Sequence, residues 1–284
     1  MKKSKRIPNI MINIMFCLGS LVFILPFVLI ISASFSDEQT LLSEGYKYVF
    51  RNPQQLLDSY KVTIIYSIVA TVLGVVVMAM LAYPLSRPNY KYKKIATFFI
   101  FFTMLFSGGL IPTYIWITRY LHLGDTIWVY ILPCLVNAFH VIVIRSFFQG
   151  LPQALMESAK IDGASELQTF FKIVMPLSKP VIATISLLTL LSRWNDWNTA
   201  LIYIKSSNLY SLQYLLQKIL REAEFVKNMA ESSPVAGVDL DLSNLPSVTI
   251  RFAMCMVAAG PMLIIFPFFQ KYFAKGLTVG AVKG

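Results

Sequence analysis

Two stretches of this sequence place chemically versatile side chains where their neighbours are almost wholly apolar. In LLSRWNDWNTALIY, residues 190–203, Arg193, Trp194, Asn195, Asp196, Trp197 and Asn198 stand together within an apolar run. Read as part of a helix crossing a bilayer, Arg193 and Asp196 lie near mid-depth, where a charge costs about 2.5–3.5 kcal/mol. Their spacing of three lets them pair on one helix face. Two readings stand. The Arg–Asp pair holds helices together with the tryptophans as packing, or the stretch lines a polar pathway. Amides, charges and indole faces suit a solute with many hydroxyls and C–H faces, such as a sugar.

Bond-making chemistry has no comparable set of residues. The chain contains no GxxxxGK[ST] phosphate loop, no HExxH and no GxSxG. His122 and His140 stand alone, which argues against zinc. Cys17, Cys134 and Cys255 are far apart, without CxxC spacing, and read as small buried hydrophobes. If transport is driven, the energy comes from a gradient or from a partner.

The elements that must position these residues are membrane spans. Of 284 residues, 56% are hydrophobic and only 14% charged, and mean hydropathy is +0.64. A soluble domain carries nearer 25% charged residues. Apolar runs of about 20 residues, the bilayer-crossing length, recur at about 10–33, 62–86, 96–119, 124–148, 180–204 and 248–270. The first exceeds the core of a secretory signal and reads as an uncleaved span rather than a cleaved signal.

The net charge of +11 is distributed by sidedness rather than for nucleic acid. With the N-terminus inside, the inner segments hold 15 basic and three acidic residues, the outer ones nine and ten. That is the positive-inside bias. The expectation is an all-α polytopic protein with six spans and both termini cytoplasmic. No internal repeat or soluble domain interrupts it.

Pro26, Gly108-Gly109 with Pro112, Pro133, and Gly260-Pro261 with Pro267 are expected to make spans one, three, four and six irregular. Such breaks favour transport over anchoring. The outer segment 205–247 opens with LYSLQYLLQKILREAEF, where Leu209, Leu212, Leu216 and Ile219 follow helical spacing. It reads as an amphipathic surface helix, either a lid on neighbouring spans or a platform for an extracytoplasmic partner.

The second distinctive stretch, MESAKIDGASELQTFFKIVMPLSKP, residues 156–180, falls on the inner side. Pro152 sits in the first turn of a short helix through Ile161, and Asp162-Gly163 closes it. Ser165 and Gln168 form a capping box for a second helix. Leu167, Phe170, Phe171 and Val174 give that helix one apolar face, and Pro176 stops it. The acidic shoulders Glu157, Asp162 and Glu166 disfavour an anionic membrane surface and favour a protein partner.

Glu157-Ser158-Ala159, three residues, Gly163, nine residues, Ile173, two residues, Pro176 resembles the EAA loop of inner-membrane permease subunits of binding-protein-dependent ABC importers. The form ESAKIDGAS is similar to the carbohydrate-importing branch related to the maltose importer's smaller permease, departing at Ser158 and Met175. AYPLSRPNYKYKK, GGLIPTYIW, WNDWNTALIY and FQKYFAKGLTVGAVKG extend the resemblance over most of the chain.

The resemblance implies the type I ABC importer permease fold in a bacterial cytoplasmic membrane. The first span and outer loop would occupy 1–61, the core 62–273 with its coupling loop 152–180, and a cytoplasmic tail 274–284. Glu157, Ser158, Ala159, Asp162, Gly163 and Ala164 would form the turn that docks on an ATPase, with Phe170, Phe171 and Pro176 anchoring it. A second permease subunit, usually different in the sugar branch, two ATPases and an extracytoplasmic solute-binding protein would complete the machine. ATP and Mg would be used by the ATPases, with no cofactor on this chain. The cargo would be an oligosaccharide; a peptide or polyamine importer, and a gradient-driven carrier with internal repeats, are the competing readings.

Overall fold

A computed structural model of the chain describes residues 13–17, 19–21, 28, 49–232 and 253–268, less the side chains of 226, 227 and 230–232. These form two compact units, one of residues 52–218 with 258 onward, the other of residues up to 51 with 219–257. Every regular element among the described residues is helical. The N-terminal span beyond the few residues named, the outer residues 34–48 and 233–252, and the tail 274–284 lie outside them.

The larger unit is built on α1, Pro53–Ser86. Asn52 caps it by accepting from the Gln55 amide, and Pro53 supplies a pre-set first turn. These caps start the helix nine residues before the apolar run at 62–86, so 53–61, expected in an outer loop, is helical. At 1.5 Å per residue α1 is about 51 Å long. Its buried stripe is largely small residues, Ser59, Thr63, Ser67, Ala70, Gly74 and Ala82, which lets neighbouring helices approach closely. At Gly74 the approach is closest: a Cβ there would lie 3.0 Å from the carbonyl oxygen of Leu135.

α1 is long and apolar enough to cross a bilayer by itself; three further pairs of helices, each bent at a short break, reach that length and apolarity only when each pair is taken together. α2 (Lys93–Leu105) and α3 (Leu110–Tyr120) meet at 111°, α4 (Trp128–Cys134) and α5 (Ala138–Gln149) at 49°. The first bend is set by Gly109, at φ +83°, a conformation that costs glycine nothing. The second follows the 3₁₀ turn holding Pro133, after which Asn137 starts α5 by accepting from the His140 amide. None of the α2 side chains is buried. The core lies instead where α5 and the later α8 meet α1, around Met78, Ala82, Val141, Ile144, Phe170 and Ile185.

α6 (Gln153–Ile161) and α7 (Glu166–Leu177) form a hairpin. α7 bends by 81° into α8 (Lys179–Trp194), and a short α9 follows, Asn198–Tyr203. The fifth span is therefore not one continuous helix. α10, Leu212–Ser232, is the amphipathic helix, but Leu209 precedes it in a 3₁₀ turn. Leu212, Leu215 and Leu216 are buried, whereas Arg221 and Glu222 are exposed. α11, Ala253–Phe268, runs unbroken through Gly260, Pro261 and Pro267, contrary to the irregularity expected there. A proline removes one backbone donor, and one unmatched carbonyl does not by itself end a membrane helix.

Candidate functional site

The hairpin is closed by backbone geometry. Gly163 sits at φ +75°, left-handed as the sequence requires. The Ala164 amide donates to the Ala159 carbonyl at 2.9 Å and the Gly163 amide to that of Lys160 at 3.2 Å. Those two bonds are a Schellman closure of α6, for which Asp162 is the C-cap. The Ser165 hydroxyl accepts from the Gln168 amide at 3.2 Å, and Gln168 accepts from the Ser165 amide at 2.9 Å. Both ends of the turn are thus satisfied locally, so its shape does not depend on distant packing. Pro152 is the N-cap of α6 rather than its first-turn residue.

Glu157, Ser158, Asp162 and Gly163 are exposed on this turn, together with Ile161, while Ala159 is buried and Ala164 half-buried. The expected apolar face of α7 departs from 3.6-residue spacing. Phe170–Val174 is a π turn, in which the Met175 amide donates to the Phe170 carbonyl five residues back. Pro176 has no amide to offer, and helical turns continue past it to Leu177 instead of stopping. The chain bends at Ser178. In this register Phe170 and Val174 are buried, but Leu167 is 61% and Phe171 52% exposed. Of the two phenylalanines Phe170 is the one that reaches the core; Phe171 packs edge-on against it, ring centroids 4.8 Å apart. Phe171 and Pro176 line an open groove with Met175, Lys179 and Ile182.

Three residues that local sequence patterns did not single out together tie this hairpin to α1. The Tyr83 hydroxyl donates to a Glu166 carboxylate oxygen at 2.6 Å. Arg87 donates to the same hydroxyl, and its guanidinium lies 3.9 Å from the Glu166 carboxylate and 4.4 Å over the Tyr83 ring centroid. The Phe170 ring meets Tyr83 at 5.2 Å. Beside them opens a cleft of about 440 Å³ lined by Met80, Pro84, Asn89, Tyr90 and Leu167. Arg145 donates to the Leu85 carbonyl at 3.1 Å, matching one of the carbonyls left over at the end of α1.

The polar stretch lies at the far end of α8, about 24 Å along that helix. Asn195 caps α8 and Trp197 precedes α9, so Arg193 and Trp194 end one helix, Asn198 begins the next, and residues 195–197 form the break between them. Arg193 and Asp196 are 3.5 Å apart, paired across a non-helical turn rather than along a helix face. Asp196 is held mainly by Thr199, accepting from its hydroxyl at 2.7 Å and its amide at 3.0 Å. The freed backbone is met from elsewhere. The Tyr66 hydroxyl donates to the Arg193 carbonyl at 2.8 Å, the Ser211 hydroxyl to that of Asp196 at 2.9 Å, and the Leu212 amide to the Thr63 hydroxyl at 2.8 Å.

The six side chains divide. Trp194 is buried at 2% exposure, with its indole N–H donating to the Ala258 carbonyl at 3.0 Å, so it is packing and lines no pathway in this arrangement. Asn195 and Asn198 are exposed, and Arg193, Asp196 and Trp197 half-buried. Asn195 also accepts from the Gln213 side chain at 3.4 Å, joining the break to the start of α10.

A staple fixes the end of α9. Asp125, at φ +56° in the turn before α4, accepts from the Ser206 hydroxyl at 2.6 Å and from the amides of Ser206 and Lys205 at 2.9 Å each. The Ser206 hydroxyl and these amides hold its carboxyl below the usual carboxylate range.

Residues 86–279 match the family described as "Binding-protein-dependent transport system inner membrane component", and the chain belongs to this family. Protein LplC of Bacillus subtilis is 39% identical over 285 residues, 96% of this chain and 94% of its own. The polygalacturonan/rhamnogalacturonan transport system permease protein YtcP of Bacillus subtilis is 37% identical over 93% of this chain and 94% of its own. The crystal structure of a bacterial ABC transporter involved in the import of the acidic polysaccharide alginate contains a similar chain. It superposes with a TM-score of 0.74 at 26% identity, over 96% of this chain and 99% of that one. The fold is the type I ABC importer permease fold, and the chain is a membrane-embedded transport subunit rather than an enzyme.

Proposed function

We propose that this chain forms half of the translocation pathway of an ATP-driven oligosaccharide importer in a bacterial cytoplasmic membrane. It crosses six times with both ends inside, pairs with a second, different permease subunit, and takes cargo from an extracytoplasmic solute-binding protein. Domain limits follow the sequence: 1–61, the core 62–273, and the tail 274–284. Two ATPase subunits hold ATP and Mg and seat on the turn of Glu157, Ser158, Ala159, Asp162, Gly163 and Ala164. Arg193, Asn195, Asp196, Trp197 and Asn198 face the path, with Trp194 supporting them from behind.

The observation that carries this reading is the hairpin. A locally closed turn presents acidic and apolar side chains outward, on a chain without a phosphate loop of its own. The names of YtcP and of the alginate importer supply the cargo class. The test is reconstitution of the complex purified through a tag on this chain. ATPase activity should rise with a solute-binding protein loaded with oligogalacturonides or other oligosaccharides. A rise with peptide- or polyamine-loaded protein alone would overturn the cargo class, and absence of a co-purifying ATPase would overturn the reading.

A further inference from the structure

We infer that Tyr83, Arg87 and Glu166 are positioning residues that lock the hairpin to α1, making α1 the strut that carries hairpin movement to the polar break. This rests on the reading that an ATPase partner drives the hairpin.

The hairpin and the break are already joined through α8, but that connection turns a corner. Between α7 and α8 the chain turns by 81° at Ser178, Pro176 and Pro180 flank it, and the buried Ser178 hydroxyl has no hydrogen-bond partner among the described residues. A push on the turn at Gly163 reaches α8 only around that corner, whereas a hold on α7 itself passes it straight to α1. The holding group is Glu166, the first residue of α7. Its carboxylate accepts from the Tyr83 hydroxyl at 2.6 Å, a charge-assisted bond of the stronger kind. Arg87 also donates to that hydroxyl and covers the ring. Phe170, buried at 2%, blocks the ring's remaining freedom.

From Tyr83 back to Tyr66, α1 is helical with no proline between, a rod of about 26 Å. Its other attachment is equally rigid. Tyr66 is fully buried, stacked on Tyr130 at a centroid distance of 4.4 Å, and donates to the Arg193 carbonyl at 2.8 Å. One helix is therefore gripped at the hairpin by side-chain bonds and at the break by a bond to backbone. Shifts pass between packed elements when both ends are bistable and the link between them does not give.

The test uses Leu201→Cys, an exposed position on α9, as reporter, with Cys17, Cys134 and Cys255 replaced by serine. In proteoliposomes of the whole complex, maleimide labelling is compared with and without Mg-ATP and vanadate. With the lock intact, nucleotide should change the labelling rate about 5-fold or more, the lower end of ordinary coupling. In Y83F and E166Q it should change less than about 2-fold while the ATPase stays bound and active, and R87K should retain part of the change. Glu166 is exposed, so E166Q leaves the fold intact even if Y83F does not. Full responses in both variants would overturn the inference and leave the permease reading standing. Loss of the bound ATPase in E166Q would also overturn it, assigning Glu166 to docking. No nucleotide response in the unmodified lock would overturn both.

Discussion

Valine at Gly163 is the perturbation that most directly tests the hairpin. Nothing lies within 4 Å of a Cβ built on Gly163, so its cost is one of backbone conformation alone. At φ +75° an ordinary L-residue loses about 1–2 kcal/mol, and a β-branched one sits at the upper end. Closure of the turn gains the bonds from Ala164 to Ala159 and from Gly163 to Lys160. Each is worth about 0.5–1.5 kcal/mol net, together about 2. Valine thus cancels the closure energy, a factor of about 30 in the conformer ratio, whereas alanine leaves about half of it. Asparagine tolerates this backbone region and leaves nearly all. Uptake by the reconstituted complex should therefore fall in the order Gly163→Asn, Gly163→Ala, Gly163→Val. The asparagine variant is expected within about twofold of the native chain and the valine variant at least about tenfold below it, with equal amounts of chain in the membrane. If Gly163→Asn were as damaging as Gly163→Val, contact with the partner rather than turn conformation would set the requirement. Normal uptake in Gly163→Val would refute the docking turn itself.

Four other outcomes are expected. Ser165→Ala, which removes one half of the capping box, should destabilise the start of α7 by about 0.5–2 kcal/mol, read as faster proteolysis within 160–170. Gly74→Ala places a Cβ 3.0 Å from a backbone oxygen; overpacking of this kind costs about 1–3 kcal/mol and should lower the unfolding temperature in detergent. Asn195→Ala with Trp197→Ala should change which saccharide-loaded binding proteins stimulate the ATPase, and an unchanged profile would take both residues out of the path. Asp125→Asn should lower thermal stability at pH 7. The Asp125 pKa is depressed in the fold, so its contribution is complete above the unfolded value near 4 and disappears as pH falls through the folded one. The native protein and the Asp125→Asn variant should converge only in strong acid.

The features legible in the sequence are those whose causes lie within a turn or two of chain. Gly163, the Ser165–Gln168 box and the apolar run of α1 each follow from bonds or burial a few residues apart, and the structure shows the expected caps. The breaks at Gly109 and Pro133 were legible for the same reason. Helix register was not. Periodicity put Phe170 and Phe171 alike on one apolar face, but one π turn leaves Phe171 half in the open. Proline positions overstated the irregularity of α11, since a missing donor can be accommodated.

The hairpin is thus a property of the sequence by itself, because backbone conformation and capping decide it locally. What holds the hairpin, and what keeps a charged break open in an apolar fold, belongs to the tertiary structure. Glu166 meets a hydroxyl 83 residues earlier, and Arg193 one 127 residues earlier. Neither partner has any local signature. Each is chosen because helices packed on the small-residue face of α1 bring an acceptor within reach of a tyrosine hydroxyl that can donate to it.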